Sequence, residues 1–451
     1  MKEGHFIRVL GRRDVLALAF GAIIGWSWVL LTGEWVKTAG SLGAISAFTV
    51  GGVAMLFISL TYAELASAMP EVGGEHVYSY RALGAGASFV CTWSLILAYV
   101  TVVAFEAVAL STGLAYLIPN FSSGRLWQVA GEDVYLSWIA VSVPTAVVMT
   151  WVNVLGIKPA AMVQAIVTGI ILLSGILFFT GSLPAGDPTK LEPLFRDGMT
   201  GTLSVLIMVP MMFIGFDVIP QAAEEIDLPR RLIGVLLVIS VLMALVWYVL
   251  MILGVALTFS ATELDEVELA TATANASVWG GRWAGNLMVI GGIAGIMTSW
   301  NAFLVGGSRA VYALARAGML PGWLGHLHPR FNTPYMAILL IGSFSCISPL
   351  FGRQILIWLI DAGGLAVIIA YGMVAVSFLV LRRREPEMPR PFRAAKGNVI
   401  GTTALVLSIL LLLVYLPGSP AALTWPYEWL ICLGWAALGA GFFAWARLGS
   451  R

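Results

Sequence analysis

Charge is what this sequence has least of. Only 11% of its 451 residues are charged and 59% are hydrophobic, whereas a soluble domain carries roughly 25% charged residues. A surface covered by water is therefore excluded, and lipid must cover it instead. The net charge is only +1, which gives no electrostatic basis for a nucleic-acid partner. Cysteine is scarce: Cys91, Cys346 and Cys432 lie far apart inside apolar runs, so they read as small core hydrophobes, outside disulfide or metal chemistry. The four histidines (His5, His76, His326 and His328) sit in polar connectors without metal-ligand spacing. No nucleophile–base pair, metal cluster or cofactor motif stands out, which argues against an enzyme and leaves no cofactor to expect. A cleavable leader is also lacking. Lys2, Arg8, Arg12 and Arg13 precede an apolar run, but no small-residue cleavage site follows it, and Glu34 and Lys37 close it as a span.

What the chain has in abundance is long apolar runs. A bilayer core takes about 20 mostly apolar residues per helix, and twelve such stretches occur, at 15–36, 42–69, 87–118, 134–153, 158–182, 202–223, 232–259, 283–314, 335–351, 354–381, 399–417 and 427–446. Short polar connectors separate them. Two are longer: Leu183–Gly201, with Pro184, Asp187, Pro188 and Glu192, and Ser260–Gly281, with Glu263, Asp265, Glu266 and Glu268. Placing the N-terminus inside puts 19 Lys and Arg residues on the cytoplasmic side and 6 (Lys37, Arg125, Lys190, Arg196, Arg282 and Arg353) on the other. This positive-inside asymmetry predicts cytoplasmic termini, in a cytoplasmic or inner membrane.

A continuous helix offers no backbone groups to a ligand, because its N–H and C=O groups already bond each other. Two spans carry breaking sequences at mid-depth. The first contains Gly21-Ala22-Ile23-Ile24-Gly25-Trp26-Ser27-Trp28; the sixth contains Pro210-Met211-Met212-Phe213-Ile214-Gly215-Phe216-Asp217 and then Pro220. Unwound helices of this kind line transporter sites. A small-xxx-small packing face at Gly21 and Gly25 is the alternative. One break per five spans suggests two halves of opposite orientation.

Two acids fall inside spans: Glu106 in the third and Asp217 at the sixth-span break. A charge at the bilayer centre costs about 2.5–3.5 kcal/mol on insertion scales. With no Lys or Arg in the middle of any span, a substrate ammonium or a transported proton is the natural partner; a protonated, hydrogen-bonded structural acid is the alternative. Asp361 reads as interfacial. Glu224, Glu225 and Asp227 lie beside Arg230 and Arg231, as a salt-bridge network or a gate. Of 17 tryptophans, most read as interfacial anchors, for example Trp127, Trp138, Trp425 and Trp429. Trp26 and Trp28 sit at the break, where indole either faces an organic cation or packs in the core.

These residues resemble the amino acid–polyamine–organocation permeases. Gly21–Ser27 is similar to the family's unwound first helix, and Ala63-Glu64-Leu65-Ala66-Ser67-Ala68-Met69-Pro70-Glu71-Val72-Gly73-Gly74 with Val77-Tyr78 to the end of its second helix and the loop beyond. Asn153–Lys158 resembles the start of its fifth helix, and Phe213–Asp217 with Ala223-Glu224-Glu225 and Pro229-Arg230 its sixth-helix pattern. Ser308-Arg309, Tyr312-Ala313 and Ala315–Pro321 resemble the end of helix eight, and Leu381–Pro386 with Arg390-Pro391-Phe392 the loop after helix ten. The resemblance implies an all-α integral membrane fold of twelve transmembrane helices with a five-plus-five inverted repeat (LeuT-like) and interrupted helices 1 and 6. The chain is then a single transporter domain over 1–451: first repeat 14–182, second repeat 202–382, and helices 11 and 12 over 398–447. Function follows as alternating-access secondary transport of amino acids or related amines.

On that resemblance the substrate site comprises Ile23, Ile24, Gly25, Trp26, Ser27, Glu106, Met211, Phe213, Ile214, Gly215, Phe216, Asp217 and Phe303. In the family's arginine–agmatine exchangers, Glu106 and Phe303 fall at site-lining positions, Met211 at the aromatic gate and Asp217 at the helix-six acid. Three departures stand out. The small pair after Gly25 is Trp26-Ser27, which disfavours ordinary recognition of a substrate carboxylate. Glu106 adds a carboxylate, and with Trp26 it leans the reading towards an amine or cationic substrate. The helix-five lysine of some members is replaced by Ile171. Coupling through that lysine is excluded. Proton coupling through Asp217, Na⁺ near Ile23, Ser299 and Asn301, and plain exchange stay open; Ser299 and Asn301 read equally as helix-bonding polar residues. A zwitterionic amino-acid symporter with Trp26 turned away is the rival reading, and a non-transporting nutrient receptor the reading from another class. A channel would need a polar stripe along several helices, and only isolated polar positions occur.

Overall fold

The structure, a computed structural model, describes residues 5–267, 269–352, 355–419 and 422–449. Lys2, Glu268, Arg353 and Arg451, used above in reading the charge pattern, lie outside the described residues. The chain is helical nearly throughout. The first span is built from α1 (Arg12–Ile23), α2 (Ser27–Leu30) and α3 (Thr32–Ala39). Then come α4 (Ser41–Ala68), a short α5 (Glu75–Leu83) and α6 (Ala85–Leu117). A hairpin of β1 (Arg125–Val129) and β2 (Glu132–Tyr135) leads into α7 (Leu136–Leu155) and α8 (Ile157–Ala185). The sixth span consists of α9 (Gly198–Met212) and α10 (Val218–Gln221). It is followed by α11 (Arg230–Ala256), a short α12 (Ala270–Val278), α13 (Arg282–Arg316), α14 (Tyr335–Ile347), α15 (Ile355–Arg384), α16 (Gly397–Val414) and α17 (Tyr427–Gly449).

Among the described residues, nine helices are long and apolar enough to cross a membrane, and Gly198–Met212 and Tyr335–Phe351 are shorter apolar helices. This is the architecture of a multi-span membrane protein, in which helices satisfy their own backbone groups. Burial separates centre from rim. The apolar windows of α6 and α13 are 89% and 83% buried within the protein, whereas those of α16 and α17 are 28% and 6% buried. α6 packs against α13 and α15, and α13 also packs on α1 and α8, so the two most enclosed helices flank the first break.

The bundle has two unlike ends. One, here called the basic face, gathers residues 5–13, α5, the turn after α10 and the loop after α15: Val9 and Leu10 N–H donate to the Glu225 carbonyl, and Arg81 meets Glu385. At the opposite face, Lys37 and Arg196 meet Asp265, and the Leu42 N–H reaches the Leu194 carbonyl. The connectors are more ordered than the sequence suggested. Residues 125–135 form the hairpin, turning through Ala130 (φ 51°) and Gly131 (φ 90°). That mirror-image turn matches strand twist, but the stretch lacks the Asn-Gly signal that would have revealed it. The Ser260–Gly281 connector likewise contains α12.

Candidate functional site

The first span breaks at Ile24, whose φ of −91° and ψ of 77° leave the helical region just before Gly25. α1 stops at Ile23; the Ile24 N–H still donates to the Phe20 carbonyl (2.9 Å), and the chain restarts as α2 at Ser27. Among the described residues no backbone acceptor meets the N–H groups of Trp26 or Trp28. The sixth span breaks over Phe213–Asp217. Pro210 itself stays within α9, and its carbonyl accepts the Phe213 N–H (3.2 Å). The carbonyls of Phe213 and Ile214 accept no backbone hydrogen bond among the described residues. Each break thus leaves some of its own peptide groups without a backbone partner.

The two breaks touch. Gly215 has φ +129°, and a Cβ there would lie 2.7 Å from the Ala22 carbonyl carbon, so only glycine permits both the backbone conformation and the approach. A Cβ on Gly295 of α13 would lie 2.2 Å from the Gly25 carbonyl oxygen. Tyr248 of α11 joins the two sites: its hydroxyl lies 3.2 Å from the Ile23 carbonyl, 3.1 Å from the Met212 carbonyl and 3.3 Å from Ser27 Oγ. With a single proton it donates to one of these at a time.

Beside the breaks lies a cavity of about 420 Å³. Of the residues expected at a site, Ile23, Gly25, Trp26, Ser27, Glu106, Met211, Ile214, Ser299 and Phe303 line it. Thr101, Phe105, Ala109 and Thr112 add a stripe along α6, and Glu132 from the hairpin also lines the cavity. Glu106 is 3% exposed; its Oε1 accepts from the Ser299 hydroxyl, and its Oε2 has no hydrogen-bond partner among the described residues. Trp26 Nε1 and Thr112 Oγ1 are likewise unpartnered. The Trp26 ring edge lies against α13 and α6, where a Cβ on Gly292 or Gly113 would come within 2.3 or 3.5 Å of it. The indole therefore occupies a slot cleared by glycines. Trp28 is core: it is fully buried and packs edge-on against Trp247 at 5.4 Å.

Ile24, Phe213, Gly215, Phe216, Asp217 and Asn301 do not line the cavity. The expectation that Asp217 faces a substrate meets a different arrangement. Its Oδ1 accepts from the Gly215 N–H (2.9 Å) and the Tyr371 hydroxyl (3.1 Å), and its Oδ2 accepts from the Tyr99 hydroxyl. Both oxygens are occupied in bracing the break. Asn301 is also committed elsewhere: its amide donates to Gln164 Oε1 (2.8 Å) and the Ala160 carbonyl (3.0 Å), and its oxygen accepts from Asn153 (2.9 Å). Ile23 and Ser299 therefore share the cavity, while the third member of the expected cation site binds helices together. Among the described residues no group of His, Cys, Asp and Glu is arranged to hold a metal.

Below the breaks, towards the basic face, lies a buried ion pair. Arg309 pairs with Glu225 through two bonds (2.9 and 3.0 Å), both side chains at most 3% exposed, and the Phe6 ring lies 5.9 Å from the guanidinium. Arg230 and Arg231 were the expected partners of these acids; instead Glu225 turns inward to α13, and Glu224 accepts the Val72 N–H (3.1 Å). A second cleft of about 420 Å³ lies at Arg382 and Arg393–Val399 on this face, away from both breaks. Sequence reasoning missed Tyr248, Tyr99 and Tyr371, which look like ordinary span residues; their hydroxyls in otherwise apolar runs were the available signal.

The amino acid permease family profile matches residues 10–438. The chain is 31% identical over 425 residues to the branched-chain amino acid permease BcaP of Bacillus subtilis (strain 168), covering 91% of this chain and 89% of that protein. It is 25% identical over 446 residues to the methylthioribose transporter of the same organism, covering 97% and 93%. Human cationic amino acid transporter 4 is 28% identical over 405 residues, covering 86% of this chain but 62% of the larger protein.

Proposed function

The chain belongs to the amino acid permease family, and from that premise we propose that it is a secondary transporter of amino acids or related amines working by alternating access. One observation carries the reading: two interrupted helices meet at a single cavity whose buried Glu106 has an oxygen without a partner. A buried, half-unpartnered carboxylate is costly unless a ligand or proton satisfies it. A substrate amine would donate to Glu106 and to the open carbonyl of Ile214, which line the cavity, while Met211 and Phe303 close over it. The N–H of Trp26 is available to a substrate carboxylate. In this reading the chain has twelve spans in one domain, with repeats at 14–182 and 202–382 and a final pair at 398–447, both termini cytoplasmic, in the cytoplasmic membrane. The Arg309–Glu225 pair closes the cytoplasmic side, so the cavity is reached from outside.

The lean towards a cationic or amine substrate rests on Glu106. The rival reading, a zwitterionic amino-acid symporter, is favoured by the seating of Trp26 among glycines, which keeps the indole from filling the site. Branched-chain and cationic relatives fit either. Coupling follows a proton or plain exchange in preference to Na⁺, because Asn301 is tied into helix packing. Purified protein in liposomes should take up or exchange labelled lysine, leucine or agmatine. The same ligands should raise its melting temperature in a concentration-dependent way, and a screen with and without Na⁺ and across pH separates the substrates and the ions. No uptake and no shift with any of them would sink the proposal.

A further inference from the structure

Another buried acid lies between the broken sixth span and the basic face. Glu75, the first residue of α5, is fully buried. Its Oε2 accepts from the amide of Gln221 on α10, and that amide also reaches the Gly73 carbonyl at 3.4 Å. Glu75 Oε1, Gln221 Oε1 and the hydroxyls of Tyr62 and Tyr78 have no hydrogen-bond partner among the described residues. Four orphaned polar atoms in one buried place are unusual, since most buried polar groups are bonded.

The groups facing Glu75 come from every element around it: Tyr62 from α4, Tyr78 from α5 itself, Cys91 and Tyr99 from α6, Gln221 and Asp217 at α10, and Tyr371 from α15. None is a cation, and the neighbouring His76 is turned to Ser88 instead. Burial without a counter-charge holds the Glu75 carboxyl well above the usual carboxylate range. The site is joined to the sixth-span break by packed rings: Tyr371, whose hydroxyl donates to Asp217, has its ring edge-on to that of Tyr62 at 5.7 Å, and Tyr62 stands next to Glu75. Packing there is tight, because a Cβ on Gly74 would lie 2.7 Å from Pro220 of α10. Any movement of α10 therefore changes the surroundings of Glu75 directly.

We propose that Glu75 is a proton-binding site of the transport cycle, holding its proton while α10 packs on α5 and releasing it to water at the basic face when α10 moves away. This rests on the transporter reading above and names the coupling ion for it. The proton passes from the carboxyl oxygen to water, leaving a solvated carboxylate, so the step needs no further reactant.

Full-length protein in liposomes tests it with two assays, counterflow of labelled lysine or leucine without a gradient and accumulation driven by a pH gradient. Wild type should do both. Glu75→Gln, which keeps a hydrogen-bonding partner for Gln221, should retain counterflow while losing gradient-driven accumulation and the pH dependence of its rate. Accumulation by Glu75→Gln equal to wild type overturns the proposal, as does a wild type whose accumulation ignores the gradient. A wild type without counterflow of any probe overturns the transport reading, and this site with it. Should the Gln variant unfold, Glu75→Asp keeps a titratable group. A shift in the infrared carbonyl band of a protonated carboxylic acid between it and wild type supports the site, and identical spectra overturn it.

Discussion

The two helix breaks look alike in sequence and differ in how the protein finishes them. At the first, the groups that leave the ladder face a cavity, and the acid beside them, Glu106, comes from another helix and keeps an oxygen free. At the second, the acid belongs to the break itself, and Asp217 spends both oxygens on Gly215, Tyr99 and Tyr371. The acid beside the first interruption keeps an oxygen unpartnered, while the acid of the second is spent as a brace. A site needs both: peptide groups exposed to a substrate hold their positions only if something nearby is rigid. A similar contrast separates the bundle's two ends, where the basic face carries the buried Arg309–Glu225 pair while Glu132 of the hairpin lines the cavity.

The most disruptive way to break this comparison is Gly215→Ala. It places a Cβ 2.7 Å from Ala22 at φ +129°, and the combined strain and overpacking should cost about 3 kcal/mol or more. A large fall in the melting temperature in detergent checks it. Asp217→Asn comes next. An amide cannot accept from all three donors that the carboxylate serves, so about 2 kcal/mol of stability should be lost, with transport lost through the unbraced break. A variant as stable as wild type would show that the brace is dispensable.

Glu106→Gln sharpens the contrast because its effect should fall on ligand affinity alone. Loss of a charged hydrogen bond of about 1.5–3 kcal/mol weakens amine binding by roughly 10-fold to 150-fold, while the melting temperature stays level or rises as a buried unpartnered acid is removed. Titration calorimetry alongside a melt distinguishes the two acids. Tyr248→Phe should be mildest, near 1 kcal/mol, loosening the link between the breaks and showing as a small drop in both affinity and stability.

Much of the architecture was legible in the chain itself. Bilayer thickness sets the length of an apolar run, so ten of the twelve runs reappear as helices close to where hydropathy placed them, and the breaking sequences Gly21–Trp28 and Pro210–Asp217 contain the two interruptions, although Gly21–Ile23 and Pro210–Met212 stay helical. Local chemistry was enough for that, because a helix end depends on residues within a turn or two. Side-chain direction was not legible. Glu106 and Asp217 are both single acids in apolar runs, yet one lines the cavity and the other is enclosed by tyrosines 118 and 154 residues away in the chain. The hairpin, the pairing of Glu225 with Arg309 rather than its sequence neighbours, and the glycine-lined slot for Trp26 were hidden for the same reason. Hydropathy and backbone punctuation are properties of a segment and could be read from the sequence alone. Which donor meets which carboxylate is a property of helices packed side by side, and only the tertiary structure decides it.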